Sequence, residues 1–192
     1  MTEPVDTAFI SPKLSQEAAL AEFHSFNQGF NSVMLATVNA NSVMLATVNA
    51  EGFADASYAP TLQLNGRFYI YISALAAHTQ NIMQTPSLSL LFIEPETSAN
   101  LFRRQRSMIR CHAEPIARET QEWAQLMDRF EQVLGKMMRT LRALTDFQLI
   151  ALTPTQATYV RGFAQTYHFS EEDLSADSTA KDVIQAQIRE KH

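Results

Sequence analysis

Residues 61–92 read TLQLNGRFYIYISALAAHTQNIMQTPSLSLLF, and they decide the fold. The pair Asn65-Gly66 supplies the two positive φ angles that a type I′ turn requires, and apolar residues alternate on both sides of it. The alternation then stops, which predicts a short helix that Pro86 ends before a third strand over residues 87–93. Strand, tight turn, strand, short helix and strand form a frame on which a β-barrel can close.

The composition is that of one globular domain. The 192 residues are 46% apolar and 18% charged, and the net charge of −5 gives no support for nucleic acid as a partner. The single cysteine, Cys111, excludes an intrachain disulfide and a cysteine-based metal site. No apolar run is long enough to cross a membrane, and the N-terminus lacks the basic and apolar regions of a signal peptide. We therefore expect a cytoplasmic protein with no membrane partner.

The decapeptide NSVMLATVNA occurs twice in succession, over residues 31–40 and 41–50. Each copy predicts a strand, and the second copy continues through Gly52 into a further hairpin. We assign residues 42–48 to the barrel. The first copy should form an extra strand or a loop outside the barrel, because a one-for-one exchange would leave the other copy without a partner strand.

Periodicity predicts the remaining elements of the chain. Helices are predicted from Ser11-Pro12 to about residue 27 and over residues 120–144, and strands over residues 54–64, 106–115, 147–152 and 158–163, with 167–169 continuing or ending the sheet. Pro60 lies inside a predicted strand and marks an edge or a bulge, because proline cannot donate to a ladder. Residues 170–173, SEED, are typical of a capping box that opens another helix.

These elements predict a mainly β chain with helices, of the α+β class. The expected architecture is a closed or partly split β-barrel that carries a long amphipathic helix and appendages at both ends. We divide the chain into an N-terminal helical arm over residues 1–30, a barrel domain over residues 31–174 and a C-terminal tail over residues 175–192.

The start of the short helix carries several polar side chains. Ser73 ends the preceding strand, and His78, Thr79 and Asn81 follow in the helix. Hydroxyls, an imidazole and free helix amides can bind a phosphate or a carboxylate at such a place. The same residue types also cap helices by bonding the free N–H groups, so both interpretations stay open.

Four arginines lie close together in the chain: Arg103, Arg104, Arg106 and Arg110. Guanidinium groups this close attract an anion such as a phosphate or a carboxylate. The alternative is a solvated loop in which they pair with Glu94 and Glu96. The histidines are scattered without a HExxH motif or a close pair, so a mononuclear metal site is not indicated.

A series of motifs resembles a known superfamily. In order, the chain reads LATVNAEG, SYAP, RFYIYIS, ALAAHTQNIMQTPSLSLLFIEPE and LFRRQR, followed by LTDFQLIAL, YVRGFAQTYHFS and EEDL. The first five resemble the FMN-binding split-barrel superfamily of pyridoxamine 5′-phosphate oxidase. The last three are similar to its haem-utilisation (HugZ/HutZ-like) branch. The resemblance covers residues 43–174, most of the chain.

The resemblance implies a homodimer that holds haem between its subunits and degrades it oxidatively to release iron. In that branch an acid of the opposite subunit assists the axial histidine, and Asp146 occupies the place of this acid in the LxDF motif. The axial histidine of the branch comes from a C-terminal segment, where this chain has Ile184. His192 and His168 are therefore the candidate iron ligands, and the arginines are candidates to hold the propionates.

The same resemblance leaves FMN as an alternative cofactor. The strand segment TLQL lacks the arginine and lysine that hold the flavin phosphate in the oxidases. Ser73, His78, Thr79 and Arg103 or Arg104 would have to replace them, with Asn81, Arg106 and Tyr71 completing the set of cofactor-binding candidates. Three functions thus stay open: a haem-degrading protein, an FMN-dependent oxidoreductase, and a carrier that binds haem or flavin without turnover.

Overall fold

The computed structural model describes residues 13–29, 42–95 and 103–176. Within them the helices are α1 (Gln16–Gly29), α2 (Ala77–Gln84), α3 (Gln121–Leu134), α4 (Met137–Ala143) and α5 (Glu171–Ala176). The strands are β1 (Ser42–Val48), β2 (Ala54–Leu64), β3 (Arg67–Ser73), β4 (Ser87–Ile93), β5 (Arg106–Ile116), β6 (Phe147–Gly162) and β7 (Gln165–Phe169).

The strands form one antiparallel sheet that closes on itself. Their order is β3-β2-β1-β4-β5-β6-β7, and β3 also pairs with β6. Strands β1 to β6 therefore make a closed six-stranded barrel, and β7 extends the sheet from β6. This confirms the predicted mainly β split-barrel fold with helical additions.

The β2–β3 hairpin has the predicted type I′ geometry. Asn65 and Gly66 have φ angles of 51° and 77°, and Leu64 pairs with Arg67 across the turn. After the turn, the side chains at positions 68, 70 and 72 belong to the barrel core, which α1 also enters. Those at 69 and 71 pack in a second apolar cluster beneath α3 and α4.

Two of the three prolines inside the described strands, Pro60 and Pro154, lie where β2 and β6 change neighbours. Strand β2 pairs with β1 up to Pro60 and with β3 from Thr61 onward. The separate strands predicted over 147–152 and 158–163 are wrong, because β6 runs through them without a break. At Pro154 only β5 pairs with β6, and a register shift beside Cys111 accommodates the extra residue.

The predicted helix over residues 120–144 is divided in two. Thr120 caps α3 by accepting a hydrogen bond from the Trp123 N–H at 3.1 Å. Gly135 ends α3 with a φ of 80°, a conformation that favours glycine, and α4 begins at Met137.

Other predictions about the ends of the chain have mixed outcomes. The second copy of the decapeptide forms β1 as expected. The capping box is confirmed, because Asp173 Oδ2 accepts a bond from the Ser170 N–H at 2.8 Å and Ser170 Oγ accepts one from the Asp173 N–H at 3.3 Å. The helix predicted from Ser11-Pro12 starts later than expected, because residues 13–15 are not helical and α1 begins at Gln16, where Ser15 Oγ accepts a bond from the Ala18 N–H at 3.2 Å. The first decapeptide copy and His192 lie outside the described residues. Among the described residues, no helix has the length and apolar character needed to span a bilayer.

Candidate functional site

Ser73 and Asp146 meet where β3 ends against the beginning of β6, and we call this place the Asp146 corner. Ser73 Oγ donates to Asp146 Oδ2 at 3.0 Å, and the Ala74 N–H donates to the Asp146 carbonyl at 2.7 Å. The pairing of Ser73 with Phe147 brings them together, although they are distant in sequence. The carboxylate is half-buried and fixed from both its side chain and its backbone.

Thr79 and Asn81 anchor α2 to the barrel. Thr79 Oγ1 donates to the Ser73 carbonyl at 2.6 Å. Asn81 Nδ2 donates to Thr47 Oγ1 and to Asp55 Oδ2, both at 2.9 Å. Neither side chain caps α2, because the N-cap residue is Ala76 and no side-chain cap hydrogen bond is made there. The donors of these two buried residues are thus committed to the protein and are not directed at a ligand.

His78 lies in the first turn of α2, and it is close in sequence to Ser73 of the Asp146 corner. It is half-buried, and this burial lowers the pKa of its imidazole. Leu75 and Leu144, each within two residues of the corner, are exposed apolar side chains. The corner therefore combines a fixed carboxylate, a histidine that favours its neutral form and an apolar rim.

Tyr71 lies on the far side of β3 from the barrel core and is buried under α4. Its hydroxyl donates to the Leu141 carbonyl at 3.4 Å, and its ring contacts that of Phe147 at 5.2 Å between centroids. Burial raises the pKa of this phenol, against an opposing effect of Arg118. Tyr71 therefore packs against both ends of the segment between α4 and β6 that carries Asp146.

A second feature is a row of side chains on the outer surface of the barrel. Directly paired residues share a sheet face. The registers place in one row, from β2 to β7, Tyr58, Met44, Leu91, Met108, Thr158 and His168. We call this row the His168 face. Tyr58 is 73% exposed, Met44 46% and Met108 48%, so the row presents an apolar strip to solvent that ends in an exposed histidine.

His168 is held on β7 through one of its ring nitrogens and through its backbone. Its Nδ1 lies 3.2 Å from Thr158 Oγ1, and its carbonyl accepts a bond from Gln16 Nε2 of α1 at 2.7 Å. When Nδ1 carries the proton and donates to Thr158, Nε2 keeps the lone pair that can ligate a metal.

The arginine cluster divides into a structural part and a surface part. Arg104 donates to the Glu94 carbonyl, with Nε at 2.8 Å, and Arg103 is half-buried beside it in the chain. Arg106 and Arg110 flank Met108 at alternate positions of β5, so their side chains point to the side of the sheet that carries the His168 face. Two cations thus border an apolar strip, which suits a flat ligand with anionic edges.

Asp146 and His168 are associated with opposite ends of β6. Asp146 precedes β6, whereas His168 pairs with Thr158, twelve positions further along. At about 3.3 Å per residue, that is as much as about 40 Å of strand. Among the residues that the structure describes, no group of three or more His, Cys, Asp or Glu could hold a bare metal ion.

Sequence reasoning missed two parts of these sites. The His168 face has no linear signal, because its members come from six strands. Arg118, which bonds the end of α4 next to the Asp146 corner, stands alone in the sequence without a motif.

Comparison with known proteins places the chain among relatives. The family model of pyridoxamine 5′-phosphate oxidase matches residues 38–161. HutZ of Vibrio cholerae, described as a haem oxygenase, is 36% identical over 154 residues, which are 80% of this chain and 82% of HutZ.

Two solved structures share the fold and a substantial part of the sequence. The crystal structure of Vibrio cholerae HutZ, there described as a haem storage protein, has a TM-score of 0.64 and 32% identity, and the match covers 74% of this chain and 94% of HutZ. Campylobacter jejuni ChuZ has a TM-score of 0.72 and 30% identity, and the match covers 84% of this chain but 63% of ChuZ. This chain belongs to the pyridoxamine 5′-phosphate oxidase family, in its haem-utilisation branch.

Proposed function

We propose that this protein binds haem between two copies of its chain, as a haem-utilisation protein. The observation that carries the proposal is the His168 face, an exposed apolar strip that ends in a histidine and is bordered by arginines. A strip of this kind on a barrel surface fits a partner or a flat apolar ligand better than water. HutZ is described as a haem oxygenase and as a haem storage protein, and the relationship to it supports haem as the ligand.

The residues present suit the parts of a haem molecule. The methionines and the tyrosine of the His168 face offer apolar contact to the macrocycle, and Arg106 and Arg110 offer guanidinium groups to the propionates. His168 offers Nε2 to the iron while Thr158 holds Nδ1. His192, outside the described residues, is the other candidate ligand.

Asp146 of a second copy would assist the axial histidine. A carboxylate that accepts the second N–H of a ligating imidazole makes that imidazole a stronger donor to iron. Asp146 is prepared for this role because Ser73 and Ala74 fix it in place. Thr158 already lies 3.2 Å from Nδ1 of His168, so Asp146 assists His168 only by displacing Thr158.

Oxidative degradation of the bound haem is the enzymatic form of this proposal, and storage without turnover is the other. HutZ is described as a haem oxygenase in its sequence match, which corresponds to degradation, and as a haem storage protein in its structure, which corresponds to storage. Bound haem would supply a redox-active iron, and the chain would supply the apolar contacts, the cations and the ligating imidazole. Loss of the Soret band and release of iron to a chelator, in the presence of oxygen and an electron donor, would support degradation.

FMN suits the described residues less well. The donors of Ser73, Thr79 and Asn81 are already bonded within the protein, and the group that Ser73 bonds is the carboxylate of Asp146, which would repel a flavin phosphate held by Ser73. Flavin maxima in the absorption spectrum of the protein as isolated would favour the FMN-dependent oxidoreductase instead.

A haemin titration followed by absorption tests the proposal. We expect a shifted Soret band that saturates, and a different spectrum or weaker binding in His168→Ala or His192→Ala. No shift, or a shift that both substitutions leave unchanged, would end the proposal. Lys13→Ala, on the exposed arm before α1, is the control for a change of surface without a proposed role.

A further inference from the structure

Arg118 closes the C-terminal end of α4. Its Nη1 donates to the Leu144 carbonyl at 2.8 Å, and its Nη2 donates to the carbonyls of Arg142 and Leu144. The last carbonyls of a helix have no partner within the helix and attract a cation. One guanidinium group therefore satisfies two of them and fixes the point at which the chain leaves α4.

The Asp146 corner begins two residues after this point. The chain passes from Leu144 to Asp146, whose backbone and side chain are bonded by Ala74 and Ser73. The segment is thus held at both ends, by Arg118 on the side of α4 and by the end of β3 on the other. Arg118 lies between β5 and α3, and among the described contacts it is the residue of that segment that bonds the end of α4.

Arg118 is itself held in place. Its Cζ lies 5.1 Å from the ring centre of Trp123, and Arg142 contacts the same ring at the same distance. Its Nη2 also lies 3.5 Å from the hydroxyl of Tyr71. A planar guanidinium that stacks on an indole and bonds two carbonyls is a rigid support, and lysine cannot reproduce that geometry.

We propose that Arg118 is a positioning residue for Asp146: it fixes the end of α4 so that the carboxylate is held where a haem ligand of a second copy can meet it. The inference rests on the proposed function, but the placement of Asp146 can be measured without haem. Arg118 need not touch haem, and its effect should pass through Asp146 alone.

The test compares Arg118→Met with Arg142→Met. Both substitutions remove one guanidinium from Trp123 and keep an apolar stem. Arg142→Met also removes the exposed ion pair of Arg142 with Asp128, which contributes little, but only Arg118→Met removes donors from the helix carbonyls. Without haem, we expect amide hydrogen exchange of Ala74, which bonds Asp146, to accelerate about tenfold in Arg118→Met and to stay unchanged in Arg142→Met. Equal exchange in the two variants would overturn the proposal.

With haem, the test is whether the effects of Arg118→Met and Asp146→Asn on haemin binding add. We expect Arg118→Met to weaken haemin binding about tenfold, and to add nothing further when Asp146→Asn is already present. Additive losses in the double variant would overturn the proposal. If Arg118→Met does not fold, Arg118→Lys serves in both measurements and should give smaller changes of the same sign. If the wild-type protein does not bind haemin, the proposed function fails, whereas the exchange measurement still decides whether Arg118 positions Asp146.

Discussion

Met108 lies in the middle of the His168 face, and replacing it with glutamate should disrupt a dimer formed through that face. The side chain is 48% exposed in the single subunit. Full burial of a methionine is worth about 2 kcal/mol, so covering the exposed half contributes about 1 kcal/mol in each subunit. A carboxylate at the same place loses this contribution and adds a desolvation penalty of at least equal size.

A two-fold interface contains the substitution twice, so the expected loss is about 4 kcal/mol, or about a thousandfold in the dissociation constant. Sedimentation velocity over a wide range of protein concentration measures this change. Met137→Glu is the matched control, because Met137 is 67% exposed on α4 and lies outside the His168 face. A wild-type protein that stays monomeric, or a Met108→Glu dimer as stable as that of Met137→Glu, would refute the reasoning.

Three further predictions concern stability. Gly135→Ala should lower the free energy of unfolding by about 1–2 kcal/mol in a denaturation experiment, because alanine is strained at a φ of 80°; an unchanged midpoint would contradict this. Asn81→Ala should lower it by about 2 kcal/mol in urea, because the buried Thr47 hydroxyl and the half-buried Asp55 carboxylate lose their donor, whereas Gln80→Ala at the neighbouring exposed position should change it little. Burial raises the pKa of the Cys111 thiol, so the unfolded chain releases this proton first as the pH rises. Above about pH 8.5, the free energy of unfolding should therefore fall with pH more steeply in the wild type than in Cys111→Ala, by about 1.4 kcal/mol per pH unit. Equal slopes in the two proteins would contradict this cause.

The parts of the fold that could be predicted are those that local chemistry determines. Asn65-Gly66 requires a tight turn whatever surrounds it, and the alternation on both sides sets the faces of β2 and β3. The errors arose where context overrides a local signal. Separate strands were predicted over residues 147–152 and 158–163, but the neighbours of β6 change at Pro154 and the strand continues through it. Gly135 divides a helix whose apolar pattern continues on both sides of it.

The candidate sites were less accessible to sequence reasoning. Asp146 was identified only through the family resemblance, and its contact with Ser73 depends on the register between β3 and β6. Thr79 and Asn81 have the residue types of a ligand-binding helix start, yet the structure directs them to the barrel. Hydrogen-bond partners of this kind depend on tertiary packing, which no short motif encodes.

The central claim is that one haem site is built from two subunits. A mixed dimer tests it most directly, with one subunit carrying His168→Ala and His192→Ala and the other carrying Asp146→Asn. Such a dimer retains one site that has both a histidine and Asp146, supplied by different subunits. Neither variant alone should give the wild-type Soret spectrum, whereas the mixed dimer should recover it with half the wild-type amount of haem. A mixed dimer whose spectrum is only the average of the two variants would contradict the account.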